Sequence, residues 1–286
     1  MIERIAILGT GLLGTSAGLA LRAAGFRGTI TGWNRSPEPA QTALAMGAID
    51  SIAADALQAA RMSQVVLLSV PIYATLDYME QLSGVLGSEH LVTDVGSTKA
   101  HITEAAGRLF NSPERAAFLP GHPMAGKERG GAALADAELF RGAVWLFTDD
   151  PTWQRSPHSV ALVKGWREWV VALGCKIVDL DPVRHDELVA WVSHLPQFVA
   201  TALSALLEDE VGDAPELKDV GGRGLREMTR LGASPFSMWR DIAHTNTDAI
   251  QSALCALEQR LAHVRENLGA PALREEFDKA NRFRRE

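Results

Sequence analysis

The sequence predicts an α/β protein, a doubly wound parallel sheet followed by an all-α domain. Three observations carry this. Short β-rich apolar runs alternate with helical patterns through the first half; a glycine-rich turn joins the first run to the first helical pattern; and strand signals stop after Asp181-Pro182. Strands separated by helical segments need crossover connections, which sandwich a parallel sheet between two helical layers. In chain order, strands are expected at 5–9, 29–33, 65–70, 91–95 and 117–119. Two further runs, 143–148 and 176–180, flank an Asp-Asp-Pro turn at 149–151 and an amphipathic pattern carrying Trp166 and Trp169, and are expected to extend the same sheet. Beyond them, helical patterns are interrupted near Gly212, Gly221-Gly222, Gly232 and Gly269-Ala270-Pro271. The expected units are therefore 1–182 and 183–286, ending in an arginine-rich stretch, 282–285, that reads as a solvated tail.

Composition narrows the function classes. The 286 residues are 47% hydrophobic and 22% charged, with a net charge of -7, the profile of an ordinary globular chain of about two domains. An acidic total argues against nucleic acid, which is bound through a basic face. The N-terminus lacks a basic leader and cleavage site, and no apolar run is read as a bilayer span, so a cytoplasmic protein without a membrane partner is expected. Cys175 and Cys255, the only cysteines, are too few and too far apart for a disulfide framework or a thiolate metal site, and their apolar neighbours place both in the core. His90, His101, His158, His185, His244 and His263 show no metal-ligand spacing and are expected at the surface or on helix faces, and no metal is expected. Apolar helical stretches such as 195–207 exceed what a small lone bundle can cover, which points to a homodimer.

Gly9-Thr10-Gly11-Leu12-Leu13-Gly14 follows the first strand and opens a helix. In that position the first glycine makes the tight turn and the second lets the backbone approach a pyrophosphate. The third permits close helix packing, and the helix start around Leu12 and Leu13 offers N–H donors to the anion. The fingerprint predicts a Rossmann-type dinucleotide site, with Val70-Pro71 lying against the middle of the cofactor. At the end of the second strand, where NAD-binding chains carry Asp or Glu for the ribose hydroxyls, stands Trp33-Asn34-Arg35-Ser36. Asn34 does not repel a 2′-phosphate, and Arg35 and Ser36 can pair with one, which favours NADP over NAD; the alternative is a solvated Arg35 with Asn34 on the ribose of NAD.

Four more segments carry polar chemistry: Asp94-Val95-Gly96-Ser97-Thr98-Lys99; Gly121-His122-Pro123-Met124-Ala125-Gly126-Lys127-Glu128; Ser193-His194-Leu195-Pro196-Gln197; and Met228-Thr229-Arg230-Leu231-Gly232-Ala233-Ser234-Pro235 with Trp239-Arg240-Asp241 and Asn246 behind it. In this order, beside the glycine fingerprint, they resemble the prephenate dehydrogenase family, which includes arogenate and cyclohexadienyl dehydrogenases, over nearly the whole chain. The resemblance implies oxidative decarboxylation: hydride leaves C4 of a cyclohexadienyl ring for the nicotinamide, CO₂ leaves C1, and an aromatic phenol remains. It also implies that His122 accepts the substrate hydroxyl proton, that Ser97 sits between this hydroxyl and the nicotinamide, and that Arg230 grips a substrate carboxylate.

The residues themselves are compatible with these roles and with plainer ones. An imidazole held between Gly121 and Pro123 can act as a base near neutrality. Ser97 also reads as an N-cap for the following helix, and Arg230 as half of an interhelical ion pair. His194 and Gln197, at i and i+3, face one way and suit a polar pocket. The family often has His where this chain has Gln197, which leaves prephenate and arogenate both open as substrate. Trp239 reads as pocket wall or core, and Lys127 as added positive charge or a solvated side chain. Lys99, one of six lysines, stands where 3-hydroxyacid dehydrogenases carry their acid/base group, but that reading leaves His122, Arg230 and the His-Pro segment without work. A nucleotide-sensing protein without catalysis accounts for the glycines and not for a base and an anchor. The two domains take up the sequence, so neither a fused mutase nor an appended regulatory domain is expected.

Overall fold

The computed structural model describes residues 1–285. Six parallel strands, β1 (Arg4–Leu8), β2 (Thr29–Trp33), β3 (Ser51–Ile52), β4 (Val65–Leu68), β5 (Leu91–Asp94) and β6 (Ala117–Leu119), lie in the order β3-β2-β1-β4-β5-β6. Helices α1 (Leu12–Ala23), α2 (Pro37–Ala45), α3 (Ala56–Arg61), α4 (Ile72–Ser83) and α5 (Ala100–Phe110) make the crossovers. β4 and β5 are buried along their whole length, as strands covered on both faces must be, and so read as unbroken apolar runs. The order reverses between β1 and β4, which opens a crevice beyond the strand ends, where such sheets bind ligands. Leu8, Leu68 and Asp94 are in register, so the segments after β1, β4 and β5 emerge side by side at that crevice. β3 was not expected; two residues are too few to show a period.

The expected extension of this sheet is corrected by the structure. Val144–Phe147 (β8) and Lys176–Asp179 (β9) form a separate three-stranded sheet with an unforeseen strand, β7 (Gly121–Pro123), in the order β7-β8-β9. Pro120, which has no N–H to continue the ladder, separates β7 from β6. After it the chain pairs antiparallel with β8, placing His122 opposite Leu146. α6 (Pro157–Ala172) connects β8 to β9, with Trp145 and Trp166 fully buried at edge-on geometry between them. Cys175 is buried here and its Sγ lies 3.4 Å from the Phe140 carbonyl; burial pushes the thiol up to about 11.

The rest is helical: α7 (Pro182–Val189), a π-helical turn (Ala190–His194), α8 (Leu195–Val211), α9 (Leu217–Val220), α10 (Arg223–Thr229), a 3₁₀ turn (Arg230–Ala233), α11 (Phe236–Thr245), α12 (Thr247–Glu266) and α13 (Ala272–Arg285). The π turn ends two residues before Pro196, whose ring and missing N–H disturb the regular ladder one turn back. The continuous run Pro182–Val211 is, against expectation, long and apolar enough to cross a bilayer by length and composition. Of its inward polar groups, described below, His185 and Asp186 are hydrogen-bonded to the sheet half, and His194 and Gln197 to other parts of the helical half. Cys255 is exposed, also against expectation, because α12 turns Ile250 and Ala253 inward and Cys255 outward.

Candidate active site

The glycine loop is shaped by close backbone approach on one side and open space on the other. Gly9 has φ +99°, and a Cβ there would lie 2.2 Å from the Ser69 carbonyl; a Cβ on Gly14 would lie 2.0 Å from the Gly9 carbonyl. A Cβ on Gly11 meets nothing within 4 Å. Gly11 is also the N-cap of α1 with no side-chain cap, so the first amides of that helix, at Leu12 and Leu13, face this space without an intrahelical partner. The arrangement fits a pyrophosphate. Val70 packs against Gly9, bringing the segment after β4 beside the loop. Asn34 ties the loop to the end of β2: its Oδ1 accepts from Thr10 N–H at 3.2 Å and its Nδ2 donates to the Ser36 carbonyl at 3.0 Å. Arg35 and Ser36 are exposed just beyond, and among the described residues Arg35 forms no ion pair.

Asp94, at the end of β5, organises the neighbouring segments. Its Oδ2 accepts from Gly96 N–H at 2.7 Å and its Oδ1 from Gly121 N–H at 3.0 Å, so one carboxylate holds the residue before Ser97 and the residue before His122. It also pairs with the Lys99 ammonium, both side chains being fully buried. Burial pushes Lys99 below the ordinary lysine value, against the pull of Asp94. Ser97 does not cap α5. Lys99 holds the N-cap position without using its side chain, and the cap comes from Asp186 of α7, whose Oδ1 and Oδ2 accept from Lys99 and Ala100 N–H at 2.7 and 2.9 Å.

His122 is 7% exposed, and its Nδ1 lies 2.9 Å from Nε2 of His185. His185 Nδ1 in turn lies 2.8 Å from Asp186 Oδ1. His185, expected at the surface or on a helix face, is instead fully buried, because α7 turns it into the junction between the two halves. Burial above all, then the neighbouring His185, Lys99 and His194, holds His122 well below the ordinary imidazole value. Burial lowers His185 too, against its hydrogen bond to Asp186. His194, in the π turn, is held at about 4 by burial, with Asp186 opposing and His185 reinforcing. Its Nδ1 is 3.3 Å from Asn246 Nδ2, which also donates to the Asp186 carbonyl at 2.8 Å. His194 Nε2 and Trp239 Nε1 are buried without a hydrogen-bond partner among the described residues, and the two rings meet edge-on at 5.8 Å.

The remaining candidates are distributed differently from one another. Gln197 is buried and engaged at both ends: Nε2 donates to the Leu231 carbonyl at 2.7 Å and to Thr201 Oγ1 at 3.1 Å, and Oε1 accepts from Ser234 at 3.1 Å. It holds the turn that carries Arg230. The exposed Arg230 guanidinium pairs with Glu128, six residues after His122, so the anchor segment and the base segment meet there. Lys127 donates to the Leu134 carbonyl at 2.8 Å and serves its own loop. Sequence reasoning named Asp94 and Asn246 in its segments without giving either a role, and missed His185 and Asp186 as site-builders. An acidic residue closing a buried strand was the one available signal, at Asp94.

A family model described as the nucleotide-binding domain of prephenate dehydrogenase matches residues 17–172, and one described as its dimerization domain matches 181–280. The prephenate dehydrogenase of Lactococcus lactis is 32% identical over 248 residues, covering 86% of this chain and 66% of that longer relative. The crystal structure of Aquifex aeolicus prephenate dehydrogenase in complex with hydroxyphenyl propionate and NAD+ superposes with a TM-score of 0.85 at 29% identity, covering 100% of this chain and 98% of that one. Synechocystis arogenate dehydrogenase is similar at TM-score 0.76 and 29% identity, with 98% of each chain covered. The nucleotide crevice, the buried histidine beside it and these likenesses converge on one conclusion: the chain belongs to the prephenate dehydrogenase family.

Proposed function

We propose that the protein oxidatively decarboxylates prephenate to 4-hydroxyphenylpyruvate with NADP or NAD as hydride acceptor, a step of tyrosine biosynthesis. The carrying observation is His122, neutral by burial and with one ring nitrogen unengaged, held by Asp94 beside the segment after β5 and next to the dinucleotide crevice. Bound in that crevice, the nicotinamide supplies the hydride acceptor. Residues 1–182 hold the nucleotide through Gly9, Gly11, Leu12, Leu13, Gly14, Asn34, Val70 and Pro71, and residues 183–286 complete the substrate pocket. His122 takes the C4 hydroxyl proton on Nε2, Ser97 orients that hydroxyl, and the buried surroundings keep His122 from being protonated by solvent beforehand. A substrate carboxylate competes with Glu128 for the Arg230 fork. His194 and Trp239 present unpaired donors to the same region, while Gln197 and Lys127 act on the pocket through the segments they brace.

Arogenate, which carries an amino acid in place of the pyruvyl group, is the second reading, favoured by the Synechocystis likeness. Arg35 and Ser36, exposed beyond the ribose position, favour NADP over NAD. Absorbance of reduced nicotinamide with each substrate and each nucleotide, in four combinations, tests all of this together. Turnover in any combination that falls roughly 10²–10⁴-fold in His122→Asn is the expected result, and silence in all four from folded protein overturns the assignment. A second copy of the chain covers the helical half. Trp191, Val192 and Leu206 on the Pro182–Val211 run are 50, 65 and 56% exposed, large apolar side chains that a second copy would cover. Sedimentation is expected to return twice the 30.8 kDa chain mass, and a monomer at micromolar concentration would remove the dimer. A cytoplasmic location belongs to the same reading.

A further inference from the structure

Asp186 is placed to do more than cap a helix. Its carboxylate accepts three hydrogen bonds, from the Lys99 and Ala100 amides and from His185 Nδ1. A carboxylate can only accept, so the proton of neutral His185 must sit on Nδ1, which leaves its Nε2 with a lone pair. That lone pair faces His122 Nδ1 at 2.9 Å. His122 must then carry its own proton on Nδ1, and Nε2 becomes the basic nitrogen. Among the described residues Nε2 has no partner.

The geometry points to His185 and Asp186 as a positioning relay that selects the tautomer of His122 and steadies its protonated form. No proton needs to leave the site. The substrate hydroxyl proton moves to His122 Nε2; the Nδ1–H of the resulting imidazolium strengthens its bond to His185, whose own Nδ1–H faces the carboxylate. The groups around the relay are Asp94 and Lys99 from the segment joining β5 to α5, His194 from the π turn, and Asp186 itself from α7. Of these, only the two carboxylates favour a charged ring, and Asp94 is already paired with Lys99. Because Asp186 also caps α5, the same carboxylate joins the nucleotide half to the helical half, and base orientation is set at that junction.

The kinetic part of this inference rests on the proposed dehydrogenase reading, and the spectroscopic part does not. In protein carrying ¹⁵N-labelled histidine, without substrate and near pH 8, His122 is identified by the signal lost in His122→Asn. It is expected to show a protonated Nδ1 and a pyridine-like Nε2; the opposite tautomer overturns the relay whatever the substrate proves to be. In turnover, His185→Leu is expected to lower kcat roughly 10–100-fold, the range seen when the partner that orients a metal-bound histidine is removed, with KM little changed. His185→Gln, whose amide oxygen still accepts from His122 Nδ1, should recover much of that loss, and equal loss in the two variants overturns the relay. Neither replaces the helix cap. Asp186→Asn, where it folds, should move the acid limb of kcat/KM to lower pH, because the imidazolium loses its carboxylate; an unmoved limb counts against the relay.

Discussion

Gly11 and Gly14 stand three residues apart and are glycine for opposite reasons. At Gly14 a Cβ would strike the Gly9 carbonyl at 2.0 Å, so the fold itself requires the small residue. At Gly11 the same Cβ meets no protein atom within 4 Å, so the fold has no use for its absence and only an incoming ligand does. Gly11→Ala should therefore leave thermal stability nearly unchanged, since surface substitutions away from packing or strain stay within about 0.5 kcal/mol. It should weaken nucleotide binding by tenfold or more, roughly 1.4 kcal/mol in affinity, read by titrating the protein with each dinucleotide. Unchanged affinity would show that the pyrophosphate does not pass over this residue. Gly14→Ala is the control with the reverse pattern, losing stability first. The fingerprint spacing already assigns the second glycine to a ligand and the third to packing; the structure adds the atoms that enforce the division, the carbonyls of Ser69 and Gly9.

At the level of elements, α8 and the 3₁₀ turn Arg230–Ala233 act as one piece. A Cβ on Gly232 would lie 2.5 Å from Ser204 Oγ, so the turn lies flush on the helix, and Gln197 clamps it through Leu231 and Ser234 on either side. Gln197→Ala removes part-buried hydrogen bonds to Leu231, Thr201 and Ser234, each worth about 0.5–1.5 kcal/mol net, while the Leu231 carbonyl keeps the Ser234 N–H. The turn then loosens, and Arg230 with it. The expected kinetic signature is a raised KM for a carboxylate substrate with kcat much less affected, because His122 and Asp94 are untouched; a normal KM in the folded variant would detach Gln197 from the anchor. Reading the residue from helical spacing alone put it in the pocket, since i and i+3 share a face with His194, but the contacts that use it come from residues 34 and 37 positions later in the chain. The same limit accounts for the other gaps. The main strands were legible because β4 and β5 are covered on both faces and have to be apolar throughout. β7 was not, because Gly-His-Pro carries no strand preference and is a strand only by pairing with β8. His185 was not, because a buried histidine and a surface histidine look alike until its partners, His122 and Asp186, are folded against it.

The whole molecule is two halves joined by polar contacts across a buried seam. Asp186 caps α5, His122 and His185 meet at 2.9 Å, and Thr98 and Thr245 exchange a 2.7 Å hydrogen bond, while Asn246 braces His194 and the Asp186 carbonyl on the helical side. Three histidines, His122, His185 and His194, are buried in this region, and all three are held below their ordinary value. This makes the seam the acid-sensitive part of the fold. A histidine whose folded value is depressed stays neutral in the native state while the unfolded chain takes up its proton. Its contribution to stability is therefore complete above the unfolded value, near 6.5, and is lost as pH falls from there towards the folded value. For His194, held at about 4, the loss amounts to about 2 kcal/mol by pH 5 or so, before most carboxylates titrate. His122 and His185 add to it with the same sign. Urea unfolding followed from about pH 7.5 down to 5 should show stability flat at the upper end and falling steadily below about 6.5. His194→Gln, which keeps a polar group beside Asn246 and cannot take up a proton, should fall about 2 kcal/mol less over the same interval. An identical fall in the variant and the parent would mean that His194 binds its proton as readily in the folded seam as in the open chain, and that the seam admits water where the structure has it closed.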